Sequence, residues 1–251
     1  MSPEILTVIP ARLQSTRFPE KPLALIDDVP MVVRTYRQCV SVASEEHCLV
    51  ATDSQVIVDV CSRFGIRTCL TSVDCLTGTD RVAEVALRFP QYSAYLNVQG
   101  DEPIFNPADI SDLVECYKET QVDVVGGYTP ITNSSDFIDM SVPKVVVAGD
   151  GTLLYMSRNA IPGNKTGEFR FGYRQVCAYI FSGVALQIFS SAKAKTPLES
   201  EEDIELLRFL ELGVPVKMVK LSDESISVDY PEDIGLVLDE LKRKSTHDGD
   251  F

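Results

Sequence analysis

The stretch IPARLQSTRFPEKPLA, residues 9–24, contains three cations in a loop directly behind a short apolar run. Residues 6–10 are apolar and β-branched enough to form a buried strand, and the prolines at positions 19 and 22 disfavour a helix after it. Arg12, Arg17 and Lys21 are therefore predicted to lie at the carboxyl end of a first strand, the edge at which open α/β sheets bind ligands. This pattern is typical of a polyphosphate-binding loop, and a solvated basic loop is the alternative.

The composition excludes several kinds of partner. The chain has 251 residues, of which 23 are basic and 37 acidic, and its formal net charge is -14. This charge argues against nucleic-acid and anionic-membrane partners. No apolar run approaches the roughly eighteen residues of a membrane helix, and there is no signal-peptide pattern. The seven cysteines follow neither a metal-binding nor a secreted-disulfide spacing. We therefore expect a cytoplasmic protein with no membrane or nucleic-acid partner.

In the first half of the chain, apolar runs alternate with amphipathic segments of helix length, which predicts a mainly parallel sheet covered by helices. Strands are predicted at residues 6–10, 47–51, 67–70 and 94–98, and helices at residues 31–42, 54–64 and 80–88. Residues 122–200 predict a less regular, mixed-sheet region with extended pieces at residues 122–125, 144–148 and 176–182. Helices are predicted at residues 200–212 and 231–244, the second after a short strand that ends at Val228. We predict one α/β domain over residues 1–251.

Two acidic positions follow predicted strands. Asp101 lies in YLNVQGDEP, residues 95–103, and Asp229 lies in VDYPEDI, residues 228–234. Gly100 permits a tight turn and a close approach to a ligand, and Asp101 is suited to coordinate Mg²⁺. A helix-capping role is the alternative for both carboxylates. No P-loop or dinucleotide fingerprint is present, and only two histidines exist, so oxygen ligands and magnesium are favoured over zinc.

Seven motifs follow one another across nearly the whole chain: IPARLQSTRFPEKPLA, VATDS, TSVDCLTGTDRVAEV, LNVQGDEP, LLYMSRNAIP, PLESEEDIELLRFLELG and VDYPEDI. Each is weak alone, but together they resemble the family of 3-deoxy-manno-octulosonate cytidylyltransferases. The resemblance implies an α/β protein with a three-layer α/β/α nucleotide-diphospho-sugar transferase-like fold, a mixed, mainly parallel sheet and a smaller dimerisation sheet in a homodimer. It also implies that CTP and an acidic 3-deoxy-ulosonate sugar, Kdo or a Kdo-like variant, give a CMP-sugar and pyrophosphate. Mg²⁺ is the implied cofactor, and lipopolysaccharide or capsule synthesis is the implied use.

The resemblance also assigns roles at matching positions. Catalytic roles are implied for Arg12, Lys21, Asp101 and Asp229, and the two aspartates are the implied metal ligands. The implied nucleotide-binding residues are Ala11, Arg12, Ser15, Arg17, Lys21, Ala51, Thr52, Asp53, Thr77, Gly78 and Arg81. The implied sugar-binding residues are Arg81, Gln99, Arg158, Gln175, Glu205 and Leu206. From the residues alone, Asp80 is equally a helix N-cap beside a solvated Arg81, and Arg158 is an exposed arginine.

Departures from the family concentrate on the predicted sugar side. The family commonly has Lys-His where this chain has Arg174 and Gln175, and Glu-Gln-Leu-Arg where it has residues 205–208, so Leu206 replaces a polar residue. Losing a hydrogen-bonding group from a sugar site can change the preferred substrate. An amino-modified Kdo or another sugar acid is therefore one hypothesis. The alternative is that Leu206 faces the core and Gln175 replaces histidine as a donor.

Two other classes of protein stay open. Glycosyltransferases of the related GT-A type normally hold their metal with an Asp-x-Asp motif, whereas this chain has Gly-Asp-Glu-Pro at residues 100–103. That difference favours the cytidylyltransferase. A catalytically silent nucleotide-binding homologue is the third class, and the presence of the basic loop and both carboxylates argues against it.

Overall fold

A computed structural model describes residues 4–14 and 17–247 of the chain. By their contacts the residues form two compact units, each of which is described by itself. Of the described residues, the first unit contains 6–14, 17–85, 97–110 and 224–247, and the second contains 4–5, 86–96 and 111–223. The single domain over residues 1–251, with residues 122–200 as a substrate and dimerisation region, stays a prediction. Within the described residues, no helix is both long and apolar enough to cross a membrane.

The described residues form strands and helices in alternation along much of the chain. The strands are β1 (Ile5–Ala11), β2 (Leu25–Ile26), β3 (Val29–Pro30), β4 (Cys48–Thr52), β5 (Thr68–Leu70), β6 (Ala94–Val98), β7 (Val124–Pro130), β8 (Lys144–Val147), β9 (Leu153–Ser157), β10 (Tyr173–Ser182) and β11 (Lys217–Lys220). The α-helices are α1 (Met31–Val40), α2 (Gln55–Arg63), α3 (Gly78–Arg88), α4 (Pro107–Thr120), α5 (Ser134–Ile138), α6 (Gly183–Ser191), α7 (Pro197–Glu202), α8 (Leu206–Glu211) and α9 (Asp233–His247).

The first unit is built on parallel strands. β1 pairs with β4, with Thr7 opposite Cys48, and β4 pairs with β5, with Val50 opposite Thr68. The strand order is β6-β1-β4-β5, with Asn97 and Val98 of β6 belonging to this unit. The residues of β4 are all buried, as expected for a parallel strand that is covered on both faces. The amide of Gly100, just after β6, donates to the carbonyl oxygen of Pro10 near the end of β1, so the carboxyl ends of β1 and β6 lie together.

The second unit contains the antiparallel strands. β10 pairs antiparallel with β7 and with β8, β8 pairs antiparallel with β9, and β11 pairs parallel with β7. The pairing of β10 with β7 shifts register between Val176 and Tyr179. Three aromatic rings form part of the core, with the Phe209 ring centroid 5.2 Å from that of Phe181 and 4.8 Å from that of Phe189. Stacked rings of this kind stabilise the contact of α6 and α8 with the sheet.

The predicted α/β class with a mixed, mainly parallel sheet is confirmed. The strands predicted in the first half and the helices between them occur within a few residues of their expected bounds. A separate, small antiparallel sheet is formed by β2 and β3. The role of any sheet in dimerisation stays a prediction.

Two predicted elements are wrong. The single helix expected at residues 200–212 is two helices, α7 and α8, because Asp203 between them has a left-handed backbone with φ of 50°. The short strand expected to end at Val228 is absent from the described chain, where residues 221–230 form neither helix nor strand. The Val228 amide instead donates to the Asp101 carbonyl oxygen at 3.0 Å. The strands β2, β3, β9 and β11 and the helices α5 and α6 were not predicted.

Candidate active site

The basic loop follows β1, whose last residue, Ala11, is buried. Arg12 comes directly after the strand and is exposed, and Arg17 is exposed further along the loop. Lys21 begins a single 3-10 turn, Lys21–Leu23, after the loop. Ser15, a predicted nucleotide-binding residue, lies outside the described residues. The loop therefore presents two exposed cations next to the carboxyl end of β1, as the sequence predicts.

Lys21 joins the basic loop to both predicted metal ligands. Its Nζ lies 2.5 Å from Asp101 Oδ2 and 3.5 Å from Asp229 Oδ1, and it donates to the Val228 carbonyl oxygen at 2.8 Å. The Lys21 side chain is only 12% exposed, whereas the two carboxylates are about one third exposed. One ammonium group therefore holds the two carboxylates together from the protein side, while both remain accessible from solvent.

The Asp101 turn is held close to the end of β1. The Gly100 amide donates to the Pro10 carbonyl oxygen at 3.3 Å, and the Thr35 hydroxyl donates to the Gly100 carbonyl oxygen at 3.2 Å. A Cβ atom on Gly100 would lie 2.8 Å from the Pro10 carbonyl oxygen. Glycine is therefore required for this close approach of two backbones, as the sequence predicts.

The second carboxylate, that of Asp229, faces the basic loop. Arg17 forms an ion pair with Asp229 at 2.9 Å, and its guanidinium lies 5.6 Å from the centroid of the Tyr230 ring. Asp233, the first residue of α9, holds this segment, because its carboxylate accepts the amides of Asp229 and Tyr230, both at 2.8 Å. The Asp229 carboxylate itself pairs with the two cations Arg17 and Lys21.

The protein supplies only some of the oxygen ligands that a magnesium ion needs at this site. Asp101 and Asp229 supply carboxylate oxygens on either side of the Lys21 ammonium group. Carboxylate oxygen is the type of ligand that Mg²⁺ prefers. Over residues 4–14 and 17–247, no cluster of three or more His, Cys, Asp or Glu side chains is arranged to hold a metal. A magnesium ion here would need further oxygens from water or from a bound phosphate, as is usual for Mg²⁺ in phosphate-transfer sites.

Arg81 is buried and paired. Its side chain is 3% exposed, and its Nη2 donates to Asp53 Oδ2 at 2.9 Å. Its Nη1 donates to the Thr71 hydroxyl. The alternative of a solvated Arg81 is therefore wrong, and the ion pair joins the loop after β4 to the first turn of α3. Of the neighbouring predicted residues, Ala51 and Thr52 are fully buried in β4, so their side chains offer no surface to a ligand.

The start of α3 also contains predicted nucleotide contacts. The Thr77 hydroxyl accepts the Asp80 amide at 3.1 Å and donates to the Asp80 carboxylate at 2.7 Å, so Thr77 rather than Asp80 is the capping residue. A Cβ atom on Gly78 would lie 2.9 Å from Gln99 Nε2. The close approach of Gly78 and Gln99 brings a predicted nucleotide-binding residue and a predicted sugar-binding residue together within the first unit.

The remaining predicted sugar-binding residues belong to the second unit. Arg158 is partly buried rather than exposed, with its Nε donating to the Glu202 carbonyl oxygen at 2.5 Å and its Nη1 to the Met140 carbonyl oxygen at 3.0 Å. The Gln175 side-chain amide donates to the Tyr179 hydroxyl across the bulge of β10. Arg158 and Gln175 are therefore held in defined positions.

Glu205 and Leu206 mark the start of α8. Glu205 is the N-cap residue, and its side chain is partly buried. Leu206 has no exposed surface, and a Cβ atom on Gly126 of β7 would lie 3.1 Å from its Cδ1. The prediction of Leu206 as a sugar-binding residue is corrected, because a side chain enclosed by the core cannot contact a ligand. The alternative, that Leu206 faces the core, agrees with the structure.

Several polar residues of the site were not assigned from the sequence. Tyr230 supports the Arg17 guanidinium, and the Ser225 hydroxyl donates to the buried carboxylate of Glu102. Glu102 follows Asp101 directly in the motif, so the sequence shows a second carboxylate at this turn. Its burial was not, because the sequence pattern does not show that residues 224–230 cover this turn.

Similarity to known proteins shows which class of enzyme the chain belongs to. Residues 6–221 match the family model described as Cytidylyltransferase. A cytidylyltransferase from Leptospira borgpetersenii serovar Hardjo-bovis has a TM-score of 0.61 over 94% of this chain and 85% of its own, and its 14% identity supports a common fold alone. The fold and the matched residues define an enzyme of the cytidylyltransferase class.

Relatives with higher identity narrow this class. The 3-deoxy-manno-octulosonate cytidylyltransferase of Protochlamydia amoebophila is 36% identical over 98% of this chain and 97% of its own length. That of Myxococcus xanthus is 37% identical over 91% and 93%, respectively. A solved CMP:2-keto-3-deoxy-manno-octonic acid synthetase complexed with CTP has a TM-score of 0.89 and 29% identity, over 96% of this chain and 99% of its own. The chain belongs to the 3-deoxy-manno-octulosonate cytidylyltransferase family.

Proposed function

We propose that the protein transfers the cytidylyl group of CTP to the anomeric hydroxyl of an acidic 3-deoxy-ulosonate sugar, with Kdo as the first candidate. The anomeric oxygen forms a bond to the α-phosphorus of CTP, and the bond to the pyrophosphate oxygen breaks. The products are a CMP-sugar and pyrophosphate. Membership of the family and the names of the relatives support this reaction.

One observation of the structure carries the proposal. The ammonium of Lys21 lies within 3.5 Å of carboxylate oxygens of both Asp101 and Asp229, at the end of the loop that carries Arg12 and Arg17. A polyphosphate requires cations, and a nucleotidyl transfer also requires a site for a divalent ion next to them. This cluster, within the first unit alone, supplies both kinds of group.

The cations of the loop bind the triphosphate in this proposal. Arg12 and Arg17 are exposed, so they are accessible to phosphate oxygens without unfolding the loop. Lys21 stabilises the negative charge that develops on the departing pyrophosphate. An ammonium group that is already fixed in place stabilises this charge better than bulk water does. The partly exposed carboxylates of Asp101 and Asp229 would hold Mg²⁺, which neutralises phosphate charge when bound.

The residues predicted to contact the sugar and the base form a separate proposal for each unit. In the first unit, the buried ion pair of Arg81 with Asp53 orders the loop after β4, and Gln99 lies beside Gly78. In the second unit, Arg158 supplies positive charge for the sugar carboxylate, and Gln175 supplies a side-chain amide. An acidic substrate is attracted to these local cations although the whole chain is acidic.

Pyrophosphate release tests the reaction directly. With CTP, Mg²⁺ and Kdo, we expect release that depends on all three components. Asp101→Asn should lower the turnover number by about 100-fold or more while the protein stays folded, since a carboxylate ligand is lost. Asp112→Asn, an exposed aspartate of α4, is the matched control and should behave as the unchanged protein. Near-normal turnover of Asp101→Asn would reject the metal role.

A second candidate substrate is an amino-modified Kdo or another sugar acid. Gln175 uses one of its two side-chain N–H groups to reach the Tyr179 hydroxyl, which leaves its amide oxygen able to accept and its second N–H able to donate. Such an acceptor suits a sugar that carries an added N–H group. Comparing kcat/KM for Kdo and for an amino-modified Kdo separates the two candidates, and release with neither would favour the silent nucleotide-binding homologue.

A homodimer in the cytoplasm completes the proposal. Exposed apolar side chains of the second unit, including Ile138, Met140, Leu154 and Phe171, support a contact between two copies of this chain. Light scattering during size-exclusion chromatography tests this point, with a mass of twice 27.7 kDa as the expected result. A mass of one chain over the concentration range of the assay would reject it.

A further inference from the structure

The two proposed metal ligands lie on very different pieces of chain. Asp101 follows β6 in a turn that is tied to β1 and α1 by the hydrogen bonds of Gly100. Asp229 lies in residues 221–230, which form neither helix nor strand. Because a metal site needs its ligands at a defined separation, something other than secondary structure must hold the Asp229 segment against the turn.

Two contacts tie this segment to the turn. The Val228 amide donates to the Asp101 carbonyl oxygen at 3.0 Å, and the Val228 side chain is fully buried in an apolar cluster with Ile26 and Ile104. Three residues earlier, the Ser225 hydroxyl donates to Oε2 of Glu102. The segment is therefore fixed at two points shortly before Asp229.

The contact of Ser225 with Glu102 is buried. Glu102 is 4% exposed and Ser225 is 9% exposed. A buried carboxylate costs desolvation free energy, so an apolar contact would join two loops at lower cost. Glu102 also follows Asp101 directly, and its amide donates to the Gln99 carbonyl oxygen at 3.2 Å within the same turn. Glu102 is therefore linked to Asp101 by the chain and to the Asp229 segment by the Ser225 hydroxyl.

We infer that Glu102 and Ser225 are positioning residues that set the separation of the Asp101 and Asp229 carboxylates for the metal ion. This inference rests on the proposed function, because it assigns to the two residues the support of its metal ligands. Glu102 and Ser225 contact neither the metal nor the substrates. They act through the backbone of the turn and of residues 225–229.

Direct metal binding tests the inference without turnover. With CTP present and no sugar, Mn²⁺ binding is followed by the electron paramagnetic resonance of free Mn²⁺. Ser225→Ala and Glu102→Ala should weaken Mn²⁺ binding by roughly 10-fold or more, the usual effect of removing a group that orients a metal ligand. Glu102→Gln and Ser225→Thr keep an acceptor and a hydroxyl, respectively, and should restore most of the affinity.

A matched variant separates positioning from stability. The Ser182 hydroxyl donates to the Asp123 carboxylate at 2.6 Å in the second unit, so Ser182→Ala also removes a hydrogen bond of a largely buried serine to a carboxylate. Ser182→Ala should lower the free energy of unfolding in urea but leave Mn²⁺ affinity unchanged. If it weakens Mn²⁺ binding as much as Ser225→Ala does, the positioning role is rejected.

Variants of the two metal ligands separate failure of the positioning role from failure of the proposed metal role. If Asp229→Asn weakens Mn²⁺ binding and Ser225→Ala does not, the positioning role fails and the proposed function stands. If neither Asp101→Asn nor Asp229→Asn changes Mn²⁺ binding, the metal role in the proposed function fails. A folded Ser225→Ala protein with weaker Mn²⁺ binding, rescued by Ser225→Thr, supports the inference.

Discussion

At the scale of single residues, the ammonium group of Lys21 balances the charge of the site. Asp101 and Asp229 repel each other when both are ionised, and Lys21 lies between them at 2.5 Å and 3.5 Å. The Lys21 side chain is mostly buried, so its contribution is screened less by water than that of an exposed ion pair. Lys21 therefore contributes both to the arrangement of the carboxylates and, in the proposed function, to phosphate binding.

Replacing Lys21 with methionine tests this double role. We expect Lys21→Met to lower kcat/KM for CTP by about 100-fold, because a fixed positive charge next to the leaving group is lost. Initial rates of pyrophosphate release over a range of CTP concentrations measure the effect. Lys118→Met, at an exposed position of α4, is the control. An unchanged kcat/KM for Lys21→Met would show that Lys21 serves the fold alone.

The glycine before Asp101 provides a second test at this scale. In Gly100→Ala, the added methyl group would lie 2.8 Å from the Pro10 carbonyl oxygen, so one of the two backbones must move. We expect a loss of about 1–3 kcal/mol in the free energy of unfolding, measured in urea, together with lower turnover. Gly149→Ala, where no atom lies within 4 Å of the added methyl group, should leave both unchanged. Equal stability of the two variants would show that position 100 has room for a methyl group.

At the scale of elements, a buried ion pair joins α7 to α8. Arg208 and Glu199 are both fully buried, and the Arg208 Nε and Nη2 donate to the two carboxylate oxygens at 2.5 Å and 2.6 Å. The Arg208 guanidinium also lies 3.7 Å from the centroid of the Phe189 ring. Since each charge is enclosed by protein, neither is tolerated without the other.

Removing one partner of this pair should therefore be worse than removing both. Arg208→Leu leaves an unpaired buried carboxylate, and we expect it to lower the free energy of unfolding by about 3–5 kcal/mol. The double variant Glu199→Leu with Arg208→Leu should recover part of this loss, since no uncompensated charge remains. Urea unfolding of the two variants measures the difference. A double variant that is less stable than Arg208→Leu would show that the pair stabilises the fold by more than its burial costs.

The elements also show what the sequence can and cannot predict. β1, β4 and β6 are short, mostly apolar and almost entirely buried strands, and the apolar pattern is sufficient to find them. The break at Asp203 was missed because a left-handed backbone at a residue other than glycine depends on distant contacts, here those with Lys195 and Arg158. The strand β11 has only four residues, which is too few to show a recognisable alternation of apolar and polar residues.

The same limit applies to the site. The sequence predicted that the basic loop and the Asp101 carboxylate lie at the same edge of the sheet, because both follow the carboxyl end of a strand. The 2.5 Å contact of Lys21 with Asp101 agrees with that prediction. The burial of Arg81 against Asp53 and of Glu102 against Ser225 depends on side chains that are far apart in sequence. Pairings of this kind follow from packing, which sequence spacing does not report.

At the scale of the whole molecule, the seven cysteines lie within the described residues, and none forms a disulfide. Cys39, Cys48, Cys61 and Cys69 are buried, whereas Cys75, Cys116 and Cys177 are partly buried. Burial disfavours the thiolate, and the thiolate is the form that reacts with disulfide reagents and oxidants. The fold therefore shields the four buried thiols, and it partly covers the other three.

Thiol titration with Ellman's reagent at about pH 8 tests this protection. A hydrogen bond with Cys48, followed by burial, raises the pKa of Cys39 well above 9.0, and burial raises the pKa of Cys61 to about 11. Burial and a hydrogen bond to Glu84 raise the pKa of Cys75 to about 12. Because a higher pKa lowers the thiolate fraction at this pH, these three thiols should react slowly in the folded protein.

In concentrated guanidinium chloride the same titration should count seven thiols, since unfolding returns each thiol to water and its pKa to the ordinary range. CTP and Mg²⁺ should not accelerate the reaction of the folded protein, because ligands that bind the native state lower the unfolded fraction. Fewer than seven thiols after unfolding under nonreducing conditions would contradict the absence of disulfides. Rapid reaction of all seven thiols in the folded protein would show that these cysteines are not shielded by the core, and with it that the packing around α1 and β4 is looser than the structure describes.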